Sequence, residues 1–135
     1  MIQKISNGVK KIKPEWPLRL GLGLMYLYSG YDIFYHPDGW VWVIPQWFSQ
    51  IVSLVIPVTA YLRFQGVAEF IMGLIFIAGW GWKRGVRIAA ILATLEMTGI
   101  LLFSGINSIT FRDIGLLGAV IALVIILFKE GEETI

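Results

Sequence analysis

The residues with the most chemistry to offer are charged and amide side chains that lie within apolar stretches of the sequence. Glu69 and Glu96 each lie inside such a stretch. A charged side chain in a hydrocarbon layer is costly, so it usually marks a binding site, a proton path or an ion pair. Five more residues of this kind lie near the ends of the same stretches: Asp32, Arg63, Gln65, Arg112 and Asp113.

The spacing of these residues predicts a polar pocket in one half of a helical bundle. At a rise of ~1.5 Å per residue, Glu69 and Glu96 both lie roughly 10 Å below the outer end of their helices. In this reading the two glutamates manage protons, and one of them carries a proton at neutral pH. Arg63 and Arg112 hold the carboxylates or an anionic head group. The alternative is an ion-pair network that only pins the helices together.

Aromatic residues surround the outer end of the first apolar stretch. Tyr28 is the member that we count among the candidate site residues, and its neighbours are Tyr26, Tyr31, Phe34 and Tyr35. They either wall a flat ring-shaped ligand, such as a quinone head group, or form the aromatic belt of a membrane–water interface.

Several kinds of chemistry are excluded by composition. The chain has no cysteine, which excludes thiol catalysis, iron–sulfur clusters and zinc–thiolate sites, and a single histidine cannot build a multi-histidine metal site. We find no nucleophile–base pair or phosphate-binding loop, so no catalytic residue is assigned and a self-sufficient enzyme is not predicted. The net charge of +2 is too small to indicate a nucleic-acid partner.

The elements that must position these residues are membrane helices. The chain is 57% hydrophobic and 15% charged, whereas a soluble domain averages about 45–50% and about 25%. Four apolar segments, each close to the ~20 residues that a span needs, lie at 18–35, 60–80, 86–104 and 112–128. We therefore predict an all-α integral membrane four-helix bundle, a single domain over 18–129, with a basic segment at 1–17 and an acidic tail at 130–135.

A short amphipathic helix is predicted at about 45–56, between the first two spans. Its polar and apolar residues fall on opposite faces, which favours a position in the membrane interface. The alternative is that it forms the first turns of an over-long second span, although Pro57 is a natural break.

Basic residues predict the orientation, because Lys and Arg collect on the cytoplasmic side of a membrane. One side would carry Lys4, Lys10, Lys11, Lys13, Arg19, Lys83, Arg84, Arg87 and Lys129, and the other only Arg63 and Arg112. Both termini are thus expected in the cytoplasm of a multi-pass plasma-membrane protein.

Small residues share helix faces with a tyrosine and a glutamate. Gly23, Tyr26 and Gly30 lie on one face of the first segment, and Gly66, Glu69 and Gly73 lie on one face of the second. Such faces let helices approach closely in lipid.

The chain resembles the DoxX/DoxD-like family of small four-helix membrane proteins over about 17–130. The residues that carry the resemblance are Arg19, Gly30, the pattern Gly66-x-x-Glu69-x-x-x-Gly73, and Gly79. That family includes a membrane subunit of an archaeal thiosulfate:quinone oxidoreductase. The resemblance therefore implies a subunit of a membrane redox or respiratory system, partner subunits, and a quinone as ligand, but it transfers no catalytic residue.

Two other functions stay open at this stage. One is a non-enzymatic scaffold or assembly subunit of a membrane complex, in which the charges only hold the bundle together. The other is a small transporter, which the apolar inner half of the spans disfavours. The lipid bilayer is the expected surrounding, and homo-oligomers are compatible with the glycine faces.

Overall fold

The computed structural model describes residues 1–132, and within them it contains helices and loops but no strand. The helices are α1 (Ile2–Val9), α2 (Glu15–Tyr35), a 3₁₀ helix (Pro37–Val43), α3 (Gln46–Ser53), α4 (Val58–Ala78), α5 (Lys83–Ser104) and α6 (Phe111–Glu132). The expected all-α fold is confirmed.

Helix ends differ from the predicted bounds where proline and charged residues lie. Glu15 starts α2 earlier than expected, because Pro17 falls in the first turn, where a helix tolerates it. Pro57 precedes α4 and separates it from α3. At the other end α6 continues to Glu132, so the first acidic residues of the expected tail are helical. The rest of that tail, 133–135, lies outside the described residues.

Three helices are long and apolar enough to cross a membrane: Val58–Ala78, Lys83–Ser104 and Phe111–Gly131. These support a membrane protein, as expected from composition. The fourth expected span, α2, is as long as α4 but is not among the three. Its four tyrosines, together with Arg19 and Asp32, make it less apolar.

The antiparallel helices α2 and α4 pack along their length through two pairs of glycines. A Cβ atom on Gly30 would lie 2.6 Å from the carbonyl oxygen of Gly66, and one on Gly66 would lie 2.7 Å from that of Gly30. Gly73 meets Gly23 in the same way, at 2.8 Å. The backbones therefore touch directly, which only glycine allows.

A second helix pair completes the bundle. Helices α5 and α6 pack against each other, and α6 also contacts α2, whereas α4 and α5 touch only sparsely. The buried core joins α2, α4, α5 and α6 through Tyr26, Phe76, Ala90 and Leu123. The order around the bundle is thus α4, α2, α6, α5, with a gap between α4 and α5.

Residues 37–53 form a cap over one end of the bundle. The Ser104 hydroxyl donates a hydrogen bond of 2.6 Å to the carbonyl of Val43. Trp47 packs edge-on against Phe103, with ring centroids 5.8 Å apart, and Phe48 packs against Tyr61 at 5.4 Å. The cap therefore rests on the ends of α4 and α5.

Replacing Gly66 by alanine should destabilise the bundle, because the added methyl would overlap the backbone of α2. We expect a loss of about 1–3 kcal/mol in the free energy of unfolding, as for other overpacked sites. Thermal unfolding in detergent measures it. The matched control is Gly99→Ala, since nothing lies within 4 Å of a Cβ there and alanine favours a helix. Equal melting temperatures for both variants would contradict the glycine contact.

Candidate functional site

A cluster of polar side chains lies between the helices beneath the cap. Glu69 is only 6% exposed and accepts a short hydrogen bond from the Ser29 hydroxyl of α2. Gln65, one turn away on α4, donates 2.9 Å to Glu96 Oε1 on α5. The Tyr61 hydroxyl donates 3.0 Å to Gln65 Oε1. These hydrogen bonds connect α2 to α4 and α4 to α5.

The two glutamates form the centre of the cluster. The carboxyl groups of Glu69 and Glu96 lie close enough to interact electrostatically. Asp113, at the start of α6, is also within electrostatic range of Glu96. Two buried atoms here complete no hydrogen bond: the Tyr26 hydroxyl and Glu96 Oε2. Buried polar groups are normally satisfied, and these two groups lie beside each other, since the Tyr26 hydroxyl neighbours the Glu96 carboxylate.

A slot of about 570 Å³ runs down the gap between α4 and α5 from this cluster. Its polar end is formed by Gln65, Glu69 and Glu96, and the rest of its walls are apolar down to Trp82 and Gly85. At ~1.5 Å rise per residue, its length is about 15 Å. A volume in the range of about 300–1,000 Å³ is typical of small-molecule sites.

A smaller chamber of about 270 Å³ lies on the cap side of the Gln65–Glu96 hydrogen bond. Cap residues Val43, Pro45 and Trp47 line it together with Phe103. The cap covers that end, and the larger cavity lies sideways between two helices.

The arginines expected in the pocket lie elsewhere. Arg63 is exposed and lines a separate groove with Phe34 and Pro57. Arg112 is also exposed and lies over the Phe111 ring, 5.8 Å from its centroid. In the described part of the chain neither forms an ion pair with Glu69 or Glu96. The prediction that these arginines hold the carboxylates, or pin the helices by ion pairs, is corrected accordingly.

Two other predicted site residues lie outside the cluster. Asp32 accepts a 2.8 Å hydrogen bond from the Trp40 indole and pairs with His36 at 3.2 Å, so it fastens the chain between α2 and the cap. Tyr28 is 72% exposed on the outer face of α2. Of the aromatic group, Tyr26 instead is fully buried beside the carboxylates.

Three members of the cluster were missed as site residues: Tyr26, Ser29 and Tyr61. A signal existed for the first, because Tyr26 shares the small-residue face with Gly23 and Gly30. No comparable signal marks Ser29 or Tyr61, which are recognised only by what they contact across helices.

The half of the bundle expected to be apolar holds a buried ion pair. Arg19 is 4% exposed, pairs with Glu15 at 2.9 Å and donates 2.7 Å to the carbonyl of Phe76 near the end of α4. Arg87 likewise donates 2.9 Å to the carbonyl of Leu127 near the end of α6. Each arginine thus clamps the first helix of a pair to the last turns of the second.

No known family model, curated protein or solved structure matches the chain. The resemblance to DoxX/DoxD-like proteins therefore stays a prediction.

Chemically, the cluster offers hydrogen bonds and proton sites. Two carboxyl groups, an amide and two phenols can bind carbonyl or hydroxyl oxygens and can hold or release protons. Among the described residues no group of three or more His, Cys, Asp or Glu side chains is arranged to hold a metal ion.

Arg19→Gln should destabilise the protein far more than Arg63→Gln. Removing Arg19 leaves Glu15 buried without its partner, which typically costs about 3–5 kcal/mol. Arg63 is exposed, and such a change is usually within about 0.5 kcal/mol. Melting temperatures of the two variants measure the difference. A larger loss of stability for Arg63→Gln than for Arg19→Gln would support the predicted ion-pair network around the glutamates.

Proposed function

We propose that the protein is a DoxX-like, four-span subunit of a plasma-membrane redox system that binds a quinone-type ligand in the slot. The observation that carries the proposal is the shape of the slot, polar at Glu69 and Glu96 and apolar along the rest of its length. An amphipathic ligand with a small head and an apolar tail matches that division.

The proposal of four spans rests on how α2 packs. Helix α4 is apolar enough to cross a membrane, and α2 lies against it from Gly23 to Gly30 with backbones in contact. Both helices have 21 residues. Since α2 runs beside α4 over this distance, a membrane that contains α4 also surrounds α2. Helix α3 then lies at the interface, as part of the cap.

The charge of the slot limits the head group. With Arg63 and Arg112 outside the cluster, Glu69 and Glu96 form no ion pair with any of the described residues, so the anionic head group considered from the sequence is disfavoured. A neutral head with carbonyl or hydroxyl oxygens can exchange hydrogen bonds with Gln65 and the two carboxyl groups instead. Quinones and quinols have this chemistry.

The carboxyl groups would also serve proton exchange. A quinone takes up two electrons and two protons on reduction to a quinol. Glu69 and Glu96 lie at the polar end of the slot, where they could hold those protons. The electrons belong to a redox partner subunit.

The residues that carry the DoxX resemblance support the proposal by their position. Gly30, Gly66 and Gly73 lie at the contact between α2 and α4, Glu69 lies between two of them, and Arg19 clamps the end of α4. The residues that carry the resemblance therefore lie together at the contact between α2 and α4, although they come from two separate segments of the sequence.

The ligand test is solvent extraction and mass spectrometry of the protein purified gently from its own membrane. We expect a stoichiometric isoprenoid quinone, which Glu69→Gln reduces several-fold by removing a carboxyl group from the polar end. Ala68→Phe should displace it by filling the slot, since Ala68 is an exposed wall residue.

Two control variants are matched to these changes. Val67→Phe introduces the same aromatic ring about 100° around α4, where Val67 lines other grooves. Asp38→Asn removes an exposed carboxylate from the cap. Both should keep the ligand. A protein without any bound small molecule, but with partner subunits, would favour the scaffold function. Equal quinone content in all four variants would contradict the slot.

A second candidate, transport of lipophilic cations, is favoured because neither carboxyl group forms an ion pair with a described residue. Tetraphenylphosphonium is a suitable probe. Binding that is lost in Glu69→Gln, together with directional uptake into liposomes, would favour transport over quinone binding.

Topology has its own test, because the chain lacks cysteine and single cysteines can be labelled cleanly. In right-side-out vesicles an impermeant maleimide should label Gly39→Cys in the cap but neither Lys10→Cys nor Arg84→Cys. Labelling of Lys10→Cys and Gly39→Cys from the same side would mean that α2 does not cross the membrane.

A further inference from the structure

Helix α1 has two distinct faces. Ile2, Ile5, Val9 and the following Ile12 recur at helical spacing and form an apolar stripe, and all four are more than half exposed. The other face carries Lys4 together with Gln3, Ser6 and Asn7. This division is typical of helices that lie in the plane of a membrane surface.

Nothing in the described residues covers this stripe. Helix α1 has no buried residue, and it packs against no other helix of the bundle. An isolated eight-residue helix is only marginally stable in water. An exposed apolar stripe is stabilised when another surface covers it.

The charges around α1 identify that partner as an anionic lipid surface. Residues 1–14 contain four lysines, Lys4, Lys10, Lys11 and Lys13, and no acidic residue. Basic clusters beside a membrane helix are attracted to anionic head groups. The segment is continuous with α2, whose first turn carries Trp16, stacked edge-on against Trp80 at 5.5 Å. Tryptophans of this kind settle at the head-group level.

We infer that α1 lies flat on the membrane surface, with its isoleucine stripe among the acyl chains and its lysines on anionic phospholipid head groups. A protein partner fits less well, because a stable interface needs about 800 Å² on each side and the stripe presents only four side chains. The inference is independent of the ligand in the slot.

The test uses the full chain with one fluorescent cysteine. On a helix, Ile5 and Asn7 point about 160° apart, so Ile5→Cys reports the apolar face and Asn7→Cys the polar face. Each variant is reconstituted into vesicles of phosphatidylcholine and phosphatidylglycerol that carry a quencher on the acyl chains. We expect several-fold stronger quenching and blue-shifted emission for the label at position 5.

Two further samples test whether the attraction between the lysines and the anionic lipid holds α1 on the membrane. Replacing all four lysines by glutamine, or using vesicles of phosphatidylcholine alone, should reduce the quenching at position 5 to that at position 7. Equal quenching at both positions in the phosphatidylglycerol vesicles would overturn the inference. So would a position-5 label that is shielded in native membranes but remains in water in the lipid vesicles, since that result indicates a protein partner.

Discussion

The direct backbone contact between α2 and α4 is the constraint on which the rest of the structure depends. Two glycine pairs remove all side-chain volume from the seam, so Ser29 of α2 comes within hydrogen-bonding reach of Glu69 on α4. A larger residue at any of the four positions would hold the helices apart and leave this carboxyl group without a partner. The same seam holds α2, which is not among the three helices apolar enough to cross a membrane, against α4.

Buried acidic groups are tolerated here because each has specific neighbours. Glu69 has Ser29, and one oxygen of Glu96 has Gln65, which in turn is held by Tyr61. An isolated charge in the same place would be very costly. The cluster is thus built from hydrogen bonds between helices rather than from ion pairs, and the buried ion pair Glu15–Arg19 lies at the opposite end of the bundle.

The depth of a residue along its helix could be predicted from the sequence. The direction in which its side chain projects from the helix decides whether the residue reaches the site. Counting residues brought Glu69 and Glu96 to the same level. The same count placed Arg63 nearby, but six residues at about 100° each turn it about 120° away from the face of Glu69. Tyr28 is likewise about 160° from Tyr26. Gln65, about 40° from Glu69, was expected at the site and is found there.

Features that depend on residue type could be predicted, whereas features that depend on packing between helices could not. The membrane character follows from composition, and the breaks at Pro57 and in the loops follow from residue type. The lateral slot does not, because it depends on which helices pack tightly and which do not. Nor does the burial of Arg19, since its partner carbonyl at Phe76 is 57 residues away.

Each of the two arginine clamps fastens one helix pair, and the two pairs are joined by the shared core and by the contact between α2 and α6. Arg19 locks α2 to α4, and Arg87 locks α5 to α6, while the slot falls on the sparsely packed boundary between the two pairs. The covalent link beside that boundary is a short turn in which Gly81 has a positive φ of 77°. Widening the slot at this boundary would separate α4 from α5 and break the Gln65–Glu96 hydrogen bond, whereas the Arg19 and Arg87 hydrogen bonds lie within the two pairs and would be left intact.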